Sequence, residues 1–115
     1  MPARSEPEAI HQMLEYAQEA VGMLAARSKE DLRVDYLRDL ALQQLISMIG
    51  CAARTVSAEG RARLPEIPWE RTIAMGDRML QDYDTVDYAV VWTHVTDEMP
   101  RLIAALQRVR SKHPL

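Results

Sequence analysis

The stretch LISMIGCAA, residues 45–53, decides the fold that we expect, because it is apolar on nearly every side of a helix. A helix with so little polar surface is buried on more than one side. We therefore predict a helix over about residues 36–55 that is central in the domain, lies at a homodimer interface, or does both. Its expected apolar stripe consists of Leu37, Leu42, Leu45, Ile49, Ala52 and Val56.

Apolar residues at helical spacings predict three further long helices around this one. Their expected bounds are residues 8–27, residues 68–81, and a last helix that a cap at Asp84 or Asp87 begins and that ends near residue 110. Ser57 should cap a short helical turn, residues 28–31 should form a polar break, and Pro100 should kink or restart the last helix. Strand-like alternation is scarce, so we predict one all-α domain over residues 1–115, an up-and-down bundle of four to five helices.

Composition narrows the classes of function. The net charge of −3 gives no general attraction to nucleic acid, so RNA binding would need a local basic patch. The chain contains a single cysteine, Cys51, which suits a reducing cytoplasm. No run approaches the ~18–20 apolar residues of a membrane span, and the first residues lack the apolar core of a signal peptide. We expect a cytoplasmic protein that makes no membrane contact.

Few residues have the spacing of a metal or nucleophilic site. His11 reads as a solvated helix residue and His113 as part of a frayed tail. His94 shares a helical face with Asp97 and Glu98, but a di-metal bundle would need paired Glu-x-x-His motifs that are absent from this sequence. Cys51 has no neighbouring base or cation and is predicted to be a small buried hydrophobe. We therefore predict no metal and no cofactor.

The segment AMGDRMLQDYD, residues 74–84, is the remaining candidate for a site. Asp77, Arg78, Gln81 and Asp82 recur at spacings of three to five residues and form one polar edge of the predicted third helix. From composition alone, a solvated face followed by a capping turn is the simpler interpretation.

The sequence around this segment resembles the HepT-like branch of the HEPN superfamily, from about residue 37 to residue 106. The matching residues are Pro65, Glu66, Ile67, Pro68, Trp69, Met75, Tyr83, Val86, Asp87, Val91, Trp92 and Pro100. The resemblance implies a homodimeric, metal-independent ribonuclease that is the toxin of a toxin–antitoxin pair. It also implies an antitoxin, a minimal nucleotidyltransferase, that adenylylates the toxin on a tyrosine.

The motif positions depart from the family where the chemistry is expected. The family's arginine falls on Gly76, its histidine on Gln81 and its Gly-Glu-Ala glutamate on Cys51, whereas Asp77 and Tyr83 match. Glycine has no side chain and glutamine cannot titrate, so we expect RNA cleavage at this site to be absent or weak.

Three hypotheses follow from these residues. The first is a degenerate HepT-like homodimer that still binds a nucleotidyltransferase, with Tyr83 either the adenylylation acceptor or a packed phenol. The second is an active ribonuclease with an altered site, in which Asp77, Arg78, Gln81 and Tyr83 act and Arg78 binds phosphate. The third is a helical scaffold without chemistry.

Overall fold

Seven α-helices and one π-helical turn follow one another along the computed structural model, which describes residues 5–82 and 85–112. The elements are α1 (Glu6–Leu24), α2 (Lys29–Val34), α3 (Tyr36–Arg54), α4 (Ala58–Arg63), α5 (Trp69–Gln81), α6 (Tyr88–Thr93), the π-turn (His94–Glu98) and α7 (Met99–Lys112). The described residues contain no strand, which confirms the all-α prediction.

Short polar side chains begin five of the described helices, α1 to α4 and α6, by accepting hydrogen bonds from free backbone N–H groups. Ser57 Oγ accepts from the N–H of Gly60 at 3.0 Å and Asp87 Oδ1 from the N–H of Ala89 at 2.8 Å, as the sequence predicts. Asp84, the alternative cap, lies outside the described residues. The predicted polar break at residues 28–31 is wrong, because Ser28 and Asp31 cap each other's backbone N–H groups and begin α2.

Helix α3 is central in the bundle and packs against both α1 and α5. Ile46, Ile49, Ala52 and Ala53 are fully buried within this single chain. The central position predicted from residues 45–53 is therefore confirmed, but these residues are not available as a dimer interface. Leu37 was expected on the buried stripe and is instead 77% exposed, because it lies in the first turn of α3.

The contact between α3 and α5 depends on two glycines. A Cβ atom placed on Gly76 would lie 2.9 Å from the Cα of Gly50 and 3.2 Å from the carbonyl oxygen of Ile46. A Cβ on Gly50 would likewise lie 2.9 Å from the Cα of Gly76. These atoms belong to the backbone and cannot rotate away, so the two helices approach this closely only because both residues lack a side chain.

The turn before α5 fixes the direction in which that helix enters. Trp69 is buried, and its indole Nε1 donates a hydrogen bond to the carbonyl oxygen of Leu64 at 2.9 Å. Pro68 occupies the N-cap position, and Thr72 Oγ1 donates back to its carbonyl oxygen at 2.8 Å. This anchored turn holds Gly76 two helical turns further on at its contact with α3.

The last helix is irregular just before Pro100. The N–H of Met99 reaches the carbonyl oxygen of His94, a span of five residues in place of four. The sequence predicts a kink or restart here, and the irregularity takes the form of a π-turn that keeps α6 and α7 joined. The apolar residues expected on this helix, Val91, Val95, Met99, Leu102, Leu106 and Val109, are all buried.

The glycine contact predicts a stability effect opposite to helix propensity. Gly76→Ala should lower the free energy of unfolding by about 1–2 kcal/mol, because overpacking against backbone outweighs the gain of about 1 kcal/mol from alanine in a helix. Urea unfolding followed by circular dichroism measures this difference.

The matched control for that variant is Gly22→Ala in α1, where an added Cβ meets no atom within 4 Å. This control should be neutral or stabilising by up to about 1 kcal/mol. A Gly76→Ala protein as stable as the Gly22→Ala protein would contradict the contact.

Candidate functional site

The residue at the family's arginine position faces the protein interior. Gly76 is buried in the contact with Gly50, on the side of α5 that packs against α3. An arginine at this position could be accommodated only if the two helices moved apart. The position therefore supplies no cation to a cleft, and its local role is close packing.

The other motif residues do not converge on one point. The carboxylate of Asp77 pairs with Arg54 of α3 at 2.5 Å, whereas Arg78 faces another side of α5 and lies 3.8 Å from Asp82. Gln81 is exposed at the last position of α5. Tyr83 lies outside the described residues.

Arg78 instead lies beside a histidine. A cavity of about 230 Å³ lies between α5 and the π-turn, and we refer to it as the His94 cavity. Its lining consists of Arg71, Ala74, Met75, Arg78, His94 and Glu98. Residues 71 and 78 are seven positions apart and therefore share one face of α5, and His94 and Glu98 begin and end the π-turn. Glu98 is only 15% exposed and pairs with Arg71.

The imidazole of His94 is unusual because the side chain is half-buried and its two ring nitrogens have no hydrogen bonds. Both ring nitrogens are inaccessible to solvent, and neither has a hydrogen-bond partner among residues 5–82 and 85–112. Each unsatisfied buried polar group costs about 1–3 kcal/mol. Burial lowers the pKa of His94 below its usual value; the Glu98 carboxylate opposes this shift, and Arg78 and Arg71 reinforce it. This shift favours the uncharged imidazole, which has one donor and one acceptor, and neither is paired.

The sequence does not reveal this cluster, because the polar residues near His94 along the chain are Asp97 and Glu98, whereas Arg71 and Arg78 come from another helix. The seven-residue spacing of Arg71 and Arg78 was visible, but nothing local indicated that their face of α5 lies opposite His94. Cys51 was also misjudged: it is exposed, not buried, because the small residues that pack against neighbouring helices are Gly50, Ala52 and Ala53.

Within the described ranges, no three histidine, cysteine, aspartate or glutamate side chains are close enough to hold one metal ion. Among the same residues, no helix is both long and apolar enough to cross a membrane.

Comparison with known proteins assigns a family to the chain. Residues 13–109 match the family described as "Ribonuclease HepT-like". A Thermococcus cleftensis protein named "Probable ribonuclease HepT" is 28% identical over 101 residues, which cover 84% of this chain and 92% of that protein.

Two further relatives have similar names. A Methanocaldococcus jannaschii protein named as a "Putative RNase" is 23% identical over 109 residues, which cover 95% of this chain and 90% of that protein. A Caldanaerobacter subterraneus protein, also named as a "Putative RNase", is 26% identical over 85 residues, which cover 74% of this chain and 76% of that protein. No solved structure matches the chain. Since the family match spans most of the sequence, the chain belongs to the HepT-like ribonuclease family.

Proposed function

We propose that this chain is the HepT-like component of a cytoplasmic toxin–antitoxin pair, in which it forms a homodimer and binds a minimal nucleotidyltransferase. RNA cleavage at the inherited motif is absent or weak. The observation that carries this proposal is the state of the two key positions: Gly76 is packed against Gly50, and Gln81 is an exposed amide.

The chemistry of metal-independent RNA cleavage explains why the residues at positions 76 and 81 decide whether the motif can cleave. A group that titrates near neutral pH has to move protons at the 2′-hydroxyl and at the leaving oxygen, and its loss costs roughly 10²–10⁴-fold in rate. A cation has to stabilise the charge that develops on phosphorus oxygens, and its loss costs roughly 10²–10³-fold. The two losses need not multiply, because groups that act together are not additive.

Arg78 does not take over the role of the missing arginine at its inherited place. Two residues along a helix rotate a side chain by about 200°, so Arg78 faces away from the position that Gly76 occupies. The carboxylates of Asp77 in α5 and of Asp82, its C-cap residue, add negative charge that disfavours a phosphate backbone.

A second candidate function is an active ribonuclease whose site has moved. The observation that favours it is the His94 cavity, where an imidazole and two guanidinium groups lie together. One feature opposes it: both ring nitrogens of His94 are shielded from solvent, so an RNA 2′-hydroxyl does not reach them in this conformation. We therefore keep the binding protein as the main proposal.

The proposed homodimer is best supported by an exposed apolar surface on α3 and α5. Leu37, Leu40 and Leu80 are 77%, 38% and 56% exposed, and Leu40 and Leu80 line one groove between the two helices. We call these three leucines the leucine patch. Large apolar side chains grouped on a surface are typical of protein–protein contacts. This patch replaces residues 45–53 as the proposed interface.

Restoring the motif tests whether cleavage has been lost. Native protein should leave an RNA oligonucleotide uncut. Gly76→Arg with Gln81→His should cleave it, because the arginine forces α5 away from α3 and the cation and the titrating group then return together. Cleavage is followed by gel electrophoresis with a metal chelator present, and circular dichroism checks each fold.

Gly76→Gln with Gln81→His is the matched control, because it forces the same helix separation without the cation. It should stay inactive. Cleavage by the native protein at a rate similar to that of the restored variant would overturn the main proposal.

Adenylylation tests the proposed partner. Incubation with the cognate nucleotidyltransferase, ATP and Mg²⁺ should add at least one AMP to the native chain, measured by mass spectrometry, and Tyr83→Phe should abolish the gain. Tyr36→Phe, at a tyrosine that is 70% exposed, should retain it. An equal mass gain on Tyr83→Phe would remove Tyr83 as the acceptor, and no gain on native protein would count against the pairing.

Charge placed in the leucine patch tests the dimer. Leu37→Asp with Leu80→Asp should raise the monomer fraction at least tenfold in sedimentation velocity, because two buried carboxylates per subunit would have to be desolvated at the interface. Gln107→Asp, at an exposed position on α7, is the control and should remain dimeric. A monomeric native chain, or a double variant that dimerises normally, would contradict this interface.

A further inference from the structure

We propose that the His94 cavity is a binding site for a phosphate group, supplied by a free nucleotide or by an RNA strand. The inference goes beyond the main proposal, because it assigns a ligand to Arg71, His94 and Glu98, which lie outside the family's motif positions, together with Arg78. It rests on the arrangement of Arg71, Arg78, His94 and Glu98, and it requires neither a dimer nor cleavage.

The positions of the side chains suit an anion that enters from solvent. Arg71 and Arg78 are 65% and 57% exposed and therefore stand at the rim, while the His94 ring nitrogens are buried. The cavity of about 230 Å³ is smaller than the ~300–1,000 Å³ pockets of drug-sized ligands. It fits a phosphate group and part of an attached sugar better than a whole nucleobase stack.

The unpaired imidazole of His94 is the feature that most strongly indicates a ligand. Buried polar atoms in folded proteins almost always have a hydrogen-bond partner, so an unpartnered pair of ring nitrogens needs an explanation. Phosphate oxygens accept hydrogen bonds, and each protonated ring nitrogen of His94 could donate one. Because both nitrogens are closed to solvent, a phosphate reaches one of them only after a side chain at the rim moves, and binding would then satisfy that nitrogen.

The charges around His94 favour an anion over a cation. The charged groups that act on it are Arg71, Arg78 and Glu98, two cations and one anion. Glu98 forms an ion pair with Arg71 and thereby holds that guanidinium beside the cavity. Arg78 is more available, because its contact with Asp82 is long, at 3.8 Å, and both side chains are about half exposed. Such surface pairs contribute little, whereas a guanidinium binds phosphate through two parallel hydrogen bonds.

Phosphate binding should be coupled to the protonation of His94. Burial lowers the pKa of the empty site, and a bound anion would favour the imidazolium and raise that pKa. Binding therefore takes up a proton. The affinity should increase as the pH falls through the pKa of the liganded state, and it should level off below the pKa of the empty state.

Nuclear magnetic resonance of the histidine rings tests the site on the full chain at constant ionic strength. The probes are inorganic phosphate, ATP without metal, and a short single-stranded RNA. We expect a probe to shift the His94 ring signals, which His94→Gln identifies by their loss, and to raise the pKa of His94. His11, which is exposed and lies 3.4 Å from Glu15, is the internal control and should show a much smaller change.

Two arginine variants separate a specific site from general charge. Arg78→Ala should raise the apparent Kd for the bound probe by about tenfold or more, as expected for loss of a charged hydrogen-bond donor. Arg101→Ala is the matched control, because Arg101 also pairs with an aspartate four residues away and is 70% exposed, but does not line the cavity. It should leave the Kd unchanged.

The outcomes show whether the phosphate comes from a nucleotide or from RNA, and which results would refute the site. Binding of ATP without RNA would identify a nucleotide site, and RNA binding that depends on Arg78 would identify a strand-binding site. If no probe shifts His94, or if Arg101→Ala weakens binding as much as Arg78→Ala, the proposal fails. Because the assay measures binding alone, this failure is separable from the failure of the dimer, partner or cleavage proposals.

Discussion

The close contact between Gly50 and Gly76 is the constraint on which the arrangement of the other helices depends. Helix α3 packs between α1 and α5, and its contact with α5 leaves no room for a Cβ atom on either glycine. Interiors packed to this density do not absorb an added methyl group without moving a whole helix. Because α5 is fixed both here and by the anchored turn at Trp69, its remaining faces are set as well. One face carries Arg71 and Arg78 toward the π-turn, and another leaves Leu80 on the surface.

This constraint also explains why the motif positions and the His94 cavity are separate features. Gly76 and Arg78 are only two residues apart, yet one lies in the core and the other beside the half-buried His94. The side chain expected from the family resemblance at position 76 would compete with the packing of α3 for the same space. Arg71 and Arg78 of α5 lie away from α3, whereas Asp77 pairs with Arg54 of α3. A site that uses them would therefore have to be completed from the last helix, which provides His94 and Glu98.

Much of the fold could be predicted from local signals, and the rest depended on information that is not local. Ser57 and Asp87 mark helix starts because a short polar side chain has one obvious use before an apolar periodic run. Helix α2 was missed because Ser28 and Asp31 look polar, although they form a reciprocal cap. The exposure of Cys51 and Leu37, and the burial of Ile46, Ile49, Ala52 and Ala53 within one chain, depended on which helix packs on which face. The His94 cavity was out of reach for the same reason, since its two halves come from different helices.

The π-turn at His94–Glu98 has a consequence for the phase of the last helix. One extra residue within a turn rotates everything before it by about 100° relative to everything after it. The buried stripe can therefore continue from α6 into α7 only if the sequence pattern slips by one position at that point. Loss of a single residue here could restore a regular helix, yet it would swing one half of the stripe out of register with the core. An insertion or deletion in this segment thus changes which side chains face the core along more than twenty residues. A one-residue change in length would therefore disturb packing far from where it occurs.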